Sequence, residues 1–157
     1  MGAVIRLPWL VCIAVPIVAV GCSHAHPEPE LQVVNILNAQ ADAWNRGELD
    51  RFMGYYWKSD DLACTTNGQT TQGWAATAAF YRKHYPTPED RGRLEYDEIQ
   101  IQPLAKDAIL VVGRWSLDGD PEARGGTFSR VFRRIDDHWV IAHEHLSPSA
   151  PEPQSPH

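Results

Sequence analysis

Three cysteines in 157 residues are too few to staple a domain. Cys12 and Cys22 fall in or at the end of an apolar N-terminal run, so Cys64 is left unpaired within the chain and no disulfide framework exists. An unpaired cysteine of this kind reads as a small buried hydrophobe. Basic residues are scarce as well, with 14 Lys and Arg against 20 Asp and Glu and a net charge of −6. That balance lacks the clustered basic patch that phosphate backbones require, which excludes nucleic acid as a partner. No internal repeat is visible, and no residue pattern calls for a cofactor.

What is present begins with "MGAVIRLPWLVCIAVPIVAVGC". It carries one positive residue, Arg6, and an apolar run from Leu7 to Val20. That run is shorter than the roughly 20 residues of a membrane-spanning helix and reads as a signal-peptide core. Its end, "AVGC", resembles the bacterial lipobox, in which cleavage precedes a cysteine that becomes lipidated. The resemblance implies a signal peptide over 1–21 and a lipid on Cys22. The protein is then exported to the periplasmic face of a bacterial membrane, or otherwise secreted, and meets the membrane only through that anchor. Residues 22–29, "CSHAHPEP", read as a polar, proline-bearing tether, and 148–157, "PSAPEPQSPH", as a disordered tail. His24 and His26 belong to the tether composition. Residues 30–147 are enough for one domain with one modest core.

Periodicity supplies the elements of that domain. Leu31, Val34, Leu37, Ala41 and Trp44 recur at helical spacing up to Gly47, and Leu49, Phe52, Met53 and Tyr56 form a second, shorter stripe. Two short extended pieces follow, with a turn at Asn67-Gly68. A third helix runs from about Gly73 to Tyr85, where Pro86 ends it. Beyond "PTPEDRG" the period changes to two. The apolar parity switches near Asp97-Glu98, which predicts a bulge or bend in one long strand. "AILVVGRWSLDG" is a strand, and "GGTFSRVFRRIDDHWVIAHEHLS" is two strands joined by a tight Asp-Asp turn. Helices first and a strand meander last is the α+β pattern, with helices on one side of a bent antiparallel sheet.

The last strand poses the functional question. In "WVIAHEHLS", strict alternation sets Trp139, Ile141, His143 and His145 on one face and Val140, Ala142, Glu144 and Leu146 on the other. Two histidines on one face invite a metal or acid–base reading. A carboxylate at Glu144 invites another.

Three segments, "ILNAQADAWNRGELDRFMGYYWKSDDL", "NGQTTQGWAATAAFYRKHY" and "FRRIDDHWVIAHEHLS", resemble the nuclear transport factor 2-like superfamily. The nearest kin are SnoaL-like domains described as ketosteroid isomerase homologues. The resemblance implies a cone, also called a cystatin-like roll, in which a curved antiparallel sheet wraps around about three N-terminal helices and a cavity. It also implies a homodimer built through the sheet's outer face. It places Ala142, Glu144 and Leu146 on the cavity side and His143 and His145 outside, at a dimer interface or under a loop, so no metal site is expected there. Gln40 falls where the isomerase has its catalytic tyrosine, and Trp57 and Tyr81 fall at positions whose tyrosines support the oxyanion hole. The isomerase's proton-shuttling aspartate falls at Thr65, and its second oxyanion acid near Val131. Neither ionises at working pH, so steroid isomerisation by that mechanism is not expected.

Glu144 on a concave, partly desolvated face is the candidate acid–base group. Its alternative is an ion pair, with Arg133 as the expected partner. Trp44, Trp57, Tyr81 and Trp115, with Gln40, are the candidate ligand-binding residues, and Gly113 leaves room beside Trp115. An aromatic concave wall with a few polar groups suits a small apolar or aromatic molecule. Three functions follow: an envelope-anchored binding domain for such a molecule; an isomerase, dehydratase or cyclase using Glu144; or a structural dimer whose cone is filled. A tight Glu144–arginine pair favours binding or scaffolding over chemistry.

Overall fold

The computed structural model describes residues 28–87, 91–119 and 124–149. The expected signal peptide over 1–21, Cys22, His24 and His26, and the expected tail beyond Ser149 lie outside them. Helix α1 spans Pro29–Asn45 and α2 spans Leu49–Met53, followed by strands β1 (Ala63–Thr66) and β2 (Gln69–Gln72) and helix α3 (Trp74–His84). Four long strands complete the domain: β3 (Arg93–Ala105), β4 (Ala108–Asp118), β5 (Gly125–Ile135) and β6 (His138–Pro148). They form one six-stranded sheet in the order β2-β1-β6-β5-β4-β3. All neighbours are antiparallel except β1 and β6, which run parallel. The expected α+β roll of helices on a curved sheet is what forms.

The turns follow from local chemistry. Asn67 and Gly68 both adopt positive φ, 50° and 72°, the backbone that a two-residue hairpin demands. Asp136 and Asp137 do the same at 49° and 62°, and close the β5–β6 hairpin. In β3 the pairing steps from Asp97↔Arg114 to Gln100↔Val112, so two residues oppose Gly113 alone. This bulge, with Glu98 at φ 51°, is the expected parity switch: it lets Leu94 and Tyr96 before it, and Ile99 and Ile101 after it, all lean on the core. Gly113 sits across from the bulge for a steric reason. A Cβ there would meet Ile99 Cδ1 at 2.7 Å and Phe128 Cε1 at 3.0 Å, so the room it leaves is taken by those side chains rather than by Trp115.

Side-chain clips hold the helices on the sheet. The Asn45 amide donates to Leu94 O at 3.0 Å and accepts from Leu94 N–H at 2.7 Å, so it caps the start of β3 as a strand neighbour would. The Trp44 indole donates to Gly92 O at 3.1 Å, and Trp74 to Met53 O at 2.9 Å. The buried stripe of α1 is Val33, Leu37, Gln40, Ala43 and Trp44. It is turned by about one position from the spacing read in the sequence: Leu31 is 52 % exposed, and Val34 is only half-buried. With valine at both 33 and 34, either could lead the stripe, and the fold buries Val33 completely.

Candidate functional site

The centre of the concave face is set by an irregularity in β6. Strands β5 and β6 pair Phe132 with Ile141 but Val131 with His143, which leaves Ala142 as an extra residue. The bulge shifts the parity, so that Trp139 and Ile141 point inward before it and Glu144 after it. His143 and His145 are exposed on the opposite face. Strict alternation along "WVIAHEHLS" therefore fails at one residue. Its consequence is that a buried hydrophobic strand ends in a buried carboxylate.

Glu144 is 1 % exposed and stands directly across from Arg130, 3 % exposed, on β5. Arg130 Nε donates to Glu144 Oε2 at 2.5 Å. The Tyr56 hydroxyl lies 3.0 Å from Oε2 and 3.2 Å from Oε1, and the Tyr81 hydroxyl donates to Oε1 at 3.2 Å. Behind the pair, Gln40 Oε1 accepts from Arg130 Nη1 at 2.9 Å and from the Tyr96 hydroxyl at 3.0 Å. The guanidinium also lies over the rings of Tyr96 and Phe128, 4.9 and 4.8 Å from their centroids. Removing two charges from water costs several kcal/mol per ion, and this density of donors, acceptors and rings is what offsets such a cost.

Two corrections follow. The partner of Glu144 is Arg130; Arg133 is exposed and reaches Asp107 at 3.2 Å instead. Tyr56, not Trp57, is the aromatic of that segment that enters the site. Backbone bonds from Trp57 N–H to Ile141 O and from Ile141 N–H to Tyr55 O, each 2.9 Å, bridge Tyr56 to β6 and turn its ring inward. Trp57 is half-buried and lines neither the cleft nor the recess described below. The same displacement by one residue recurs on the sheet. Cys64, not Thr65, stands across from Glu144, and Arg130, not Val131, points inward. Gln40 is wholly buried, with its carbonyl committed to Arg130 and Tyr96, and its amide nitrogen has no partner among the described residues.

Ionisation follows the burial. Burial first, and the Glu144 charge second, hold the Tyr56 and Tyr81 hydroxyls well above the usual tyrosine range, so both remain donors to the carboxylate. Burial also raises Tyr96. For Arg130 burial acts downward, but Glu144 and the surrounding tyrosines outweigh it and hold the guanidinium well above its ordinary value. Cys64 is pushed up to about 12 by burial and by Glu144. A folded-state value above the unfolded one stabilises the domain at lower pH, and that contribution fades between about 9 and about 12. The native thiol is therefore expected to resist an aromatic disulfide reagent at about pH 8 and to react once the chain is unfolded. Equal labelling rates in the two states would contradict this environment.

Beside the network opens a cleft of about 780 Å³ between β1, β2 and α3 and the ends of β4 to β6. Tyr81, Tyr85 and Trp115 form an aromatic wall, and Cys64, Thr77, Glu144 and Leu146 lie in its lining. A smaller recess of about 40 Å³ continues the same wall towards Trp44, Tyr96 and Arg130. Of the candidate ligand-binding residues, the structure brings Tyr81 and Trp115 to both spaces and Trp44 to the recess, and leaves Gln40 and Trp57 outside both. Tyr56, Tyr96 and Arg130 are residues that sequence reasoning passes over. For Arg130 a signal exists, because "FSRVF" alternates and places it in phase with Phe128 and Phe132. Among the described residues no group of three or more His, Cys, Asp or Glu is placed to hold a metal ion, and no helix is long and apolar enough to cross a membrane.

Residues 33–151 match the family described as SnoaL-like domain. Among solved structures, an NTF-2 like protein of unknown function from Shewanella oneidensis MR-1 is 40% identical, with a TM-score of 0.71 over 74% of this chain and 97% of that one. A putative calcium/calmodulin-dependent protein kinase type II association domain from Thiobacillus denitrificans is 26% identical, with a TM-score of 0.60 over 73% and 93%. A protein of unknown function with a cystatin-like fold from Nostoc punctiforme shares the fold at 11% identity, with a TM-score of 0.64 over 76% and 90%. No curated protein matches the chain.

Proposed function

The chain belongs to the SnoaL-like domain family, and from that premise we propose that it is a binding domain for a small apolar or aromatic molecule, held at the bacterial envelope through Cys22. The observation that supports binding over catalysis is the state of Glu144. A general acid or base needs a carboxyl that can exchange a proton with a substrate. Here both oxygens are already engaged, by Arg130 and two tyrosine hydroxyls, and the side chain, although in the lining of the cleft, is only 1 % exposed. What faces the cleft is the aromatic wall, and large rings against a partly polar opening suit recognition.

The experiment is a thermal-shift screen of residues 28–149 against small aromatic, steroid-like and polyketide-like compounds. A ligand that binds only the folded state raises the melting temperature by mass action. Hits of this kind are expected; their complete absence would favour a filled-cone structural dimer.

The envelope address rests on the "AVGC" segment. The full chain expressed in a Gram-negative host is expected to fractionate with membranes, and Cys22→Ser to release it. A Cys22→Ser protein that stays membrane-bound would remove lipidation from the account.

A further inference from the structure

The inward face of the sheet changes chemistry along its width. On β4, β5 and β6 it buries Val111, Phe132 and Ile141 around the Arg130–Glu144 pair. At the β1–β2 end the strand register fixes what replaces them. Cys64 lies across from both Glu144 and Thr71, and Thr66 lies across from both Leu146 and Gln69. Partners directly opposite share a face, so Thr66, Gln69 and Thr71 continue the concave surface of Glu144 and Leu146. This end of the face is open to the cleft and not packed into the core: Gln69 is exposed, and Thr66 and Thr71 are half-buried. It carries two hydroxyls and an amide, and all three residues line the 780 Å³ cleft opposite Tyr85 and Trp115.

Charge narrows the occupant further. An aromatic wall with a carboxylate in its floor is the usual arrangement for an amine. Glu144 is unsuited to that role, because Arg130 neutralises it and its oxygens are occupied. A cation in the cleft would therefore meet rings and a second cation, Arg124, which lies 4.9 Å from the Tyr85 ring centroid, while an uncharged ligand leaves both the buried pair and that contact undisturbed.

Building on the binding function above, we propose that the cleft takes an uncharged molecule with two unlike ends: an aromatic ring against Tyr81, Tyr85 and Trp115, and a hydroxyl-rich end against Thr66, Gln69 and Thr71. The chemical class is an aryl glycoside or a comparably polyhydroxylated aromatic. Sugar hydroxyls both donate and accept, which matches threonine hydroxyls and a glutamine amide.

The test is calorimetric titration with phenyl β-glucoside, phenol, methyl β-glucoside and phenylethylamine. Phenyl β-glucoside is expected to bind about tenfold or more tighter than phenol, and phenylethylamine more weakly than phenol. Thr66→Val with Thr71→Val keeps the shape and removes the hydroxyls, and is expected to abolish the glucoside's advantage while leaving phenol unchanged. Thr66→Ser with Thr71→Ser is expected to retain the advantage, which separates lost hydroxyls from a disturbed fold. Equal affinity for phenol and its glucoside, an advantage that survives in the valine variant, or tightest binding of the amine would overturn the two-ended assignment and leave the binding reading standing. If none of the four binds, while hits from the wider screen do, the ligand class is wrong. If nothing binds in either experiment, the binding reading falls as well.

Discussion

Arg130→Met lowers the unfolding free energy of the domain by about 3–5 kcal/mol, because it leaves the buried Glu144 carboxyl with only two tyrosine hydroxyls and no counter-charge. For a domain of this size that corresponds to a fall in melting temperature on the order of 15 °C. Glu144→Leu alone is costly for the complementary reason, since it strands the Arg130 guanidinium under Tyr96 and Phe128. The double variant, Arg130→Met with Glu144→Leu, is expected to recover most of the loss, since an apolar pair of similar volume demands no desolvation. A double-mutant cycle by chemical denaturation measures the coupling. Independent, additive effects of the two substitutions, or a loss under about 1 kcal/mol for Arg130→Met, would mean that the pair is not the closed unit described above.

Trp115→Ala is expected to weaken binding of any cleft ligand by about a hundredfold or more, equivalent to about 2.7 kcal/mol. The indole lines both the large cleft and the inner recess, so its removal opens one into the other and takes away the longest aromatic surface available for stacking. The ring is half-buried, and its indole nitrogen makes no hydrogen bond among the described residues, so truncation breaks no polar network. Fold and self-association should survive. Titration of a screening hit, with size-exclusion chromatography as control, separates the two effects. Wild-type affinity in Trp115→Ala would move the site away from this cleft.

The fold was more legible than the site. Paired positive-φ turns at Asn67-Gly68 and Asp136-Asp137 announce themselves by residue type, and the bulge at Asp97-Glu98 announces itself by a visible change of apolar parity. The bulge at Ala142 has no such mark. It lies between isoleucine and histidine, without glycine or proline, and only the pairing with β5 reveals it. In a strand one residue of displacement reverses every side chain. That is why the resemblance, displaced by one residue, sets the isomerase's two acids at Thr65 and Val131, whereas their neighbours Cys64 and Arg130 point inward. Trp57 and Tyr56 differ by the same single step, decided by the backbone bridge to Ile141. Tyr81 was legible because it lies in phase with the buried face of α3, whereas Glu144 is out of phase with Trp139 and Ile141, and only the family resemblance sets it inward. The mate of Glu144 is not legible, because Arg130 and Arg133 lie on the same neighbouring strand and a buried arginine is rare.

On the proposed function, the cleft binds without transforming, and Glu144 serves as half of a structural pair. The most direct measurement is to incubate the tightest screening hit with the protein and follow it by proton NMR, alongside Glu144→Gln. Line broadening and saturable binding are expected, with the compound recovered unchanged from both proteins. Conversion to a new species by the wild type, at a rate lost in Glu144→Gln while that variant still binds, would contradict it.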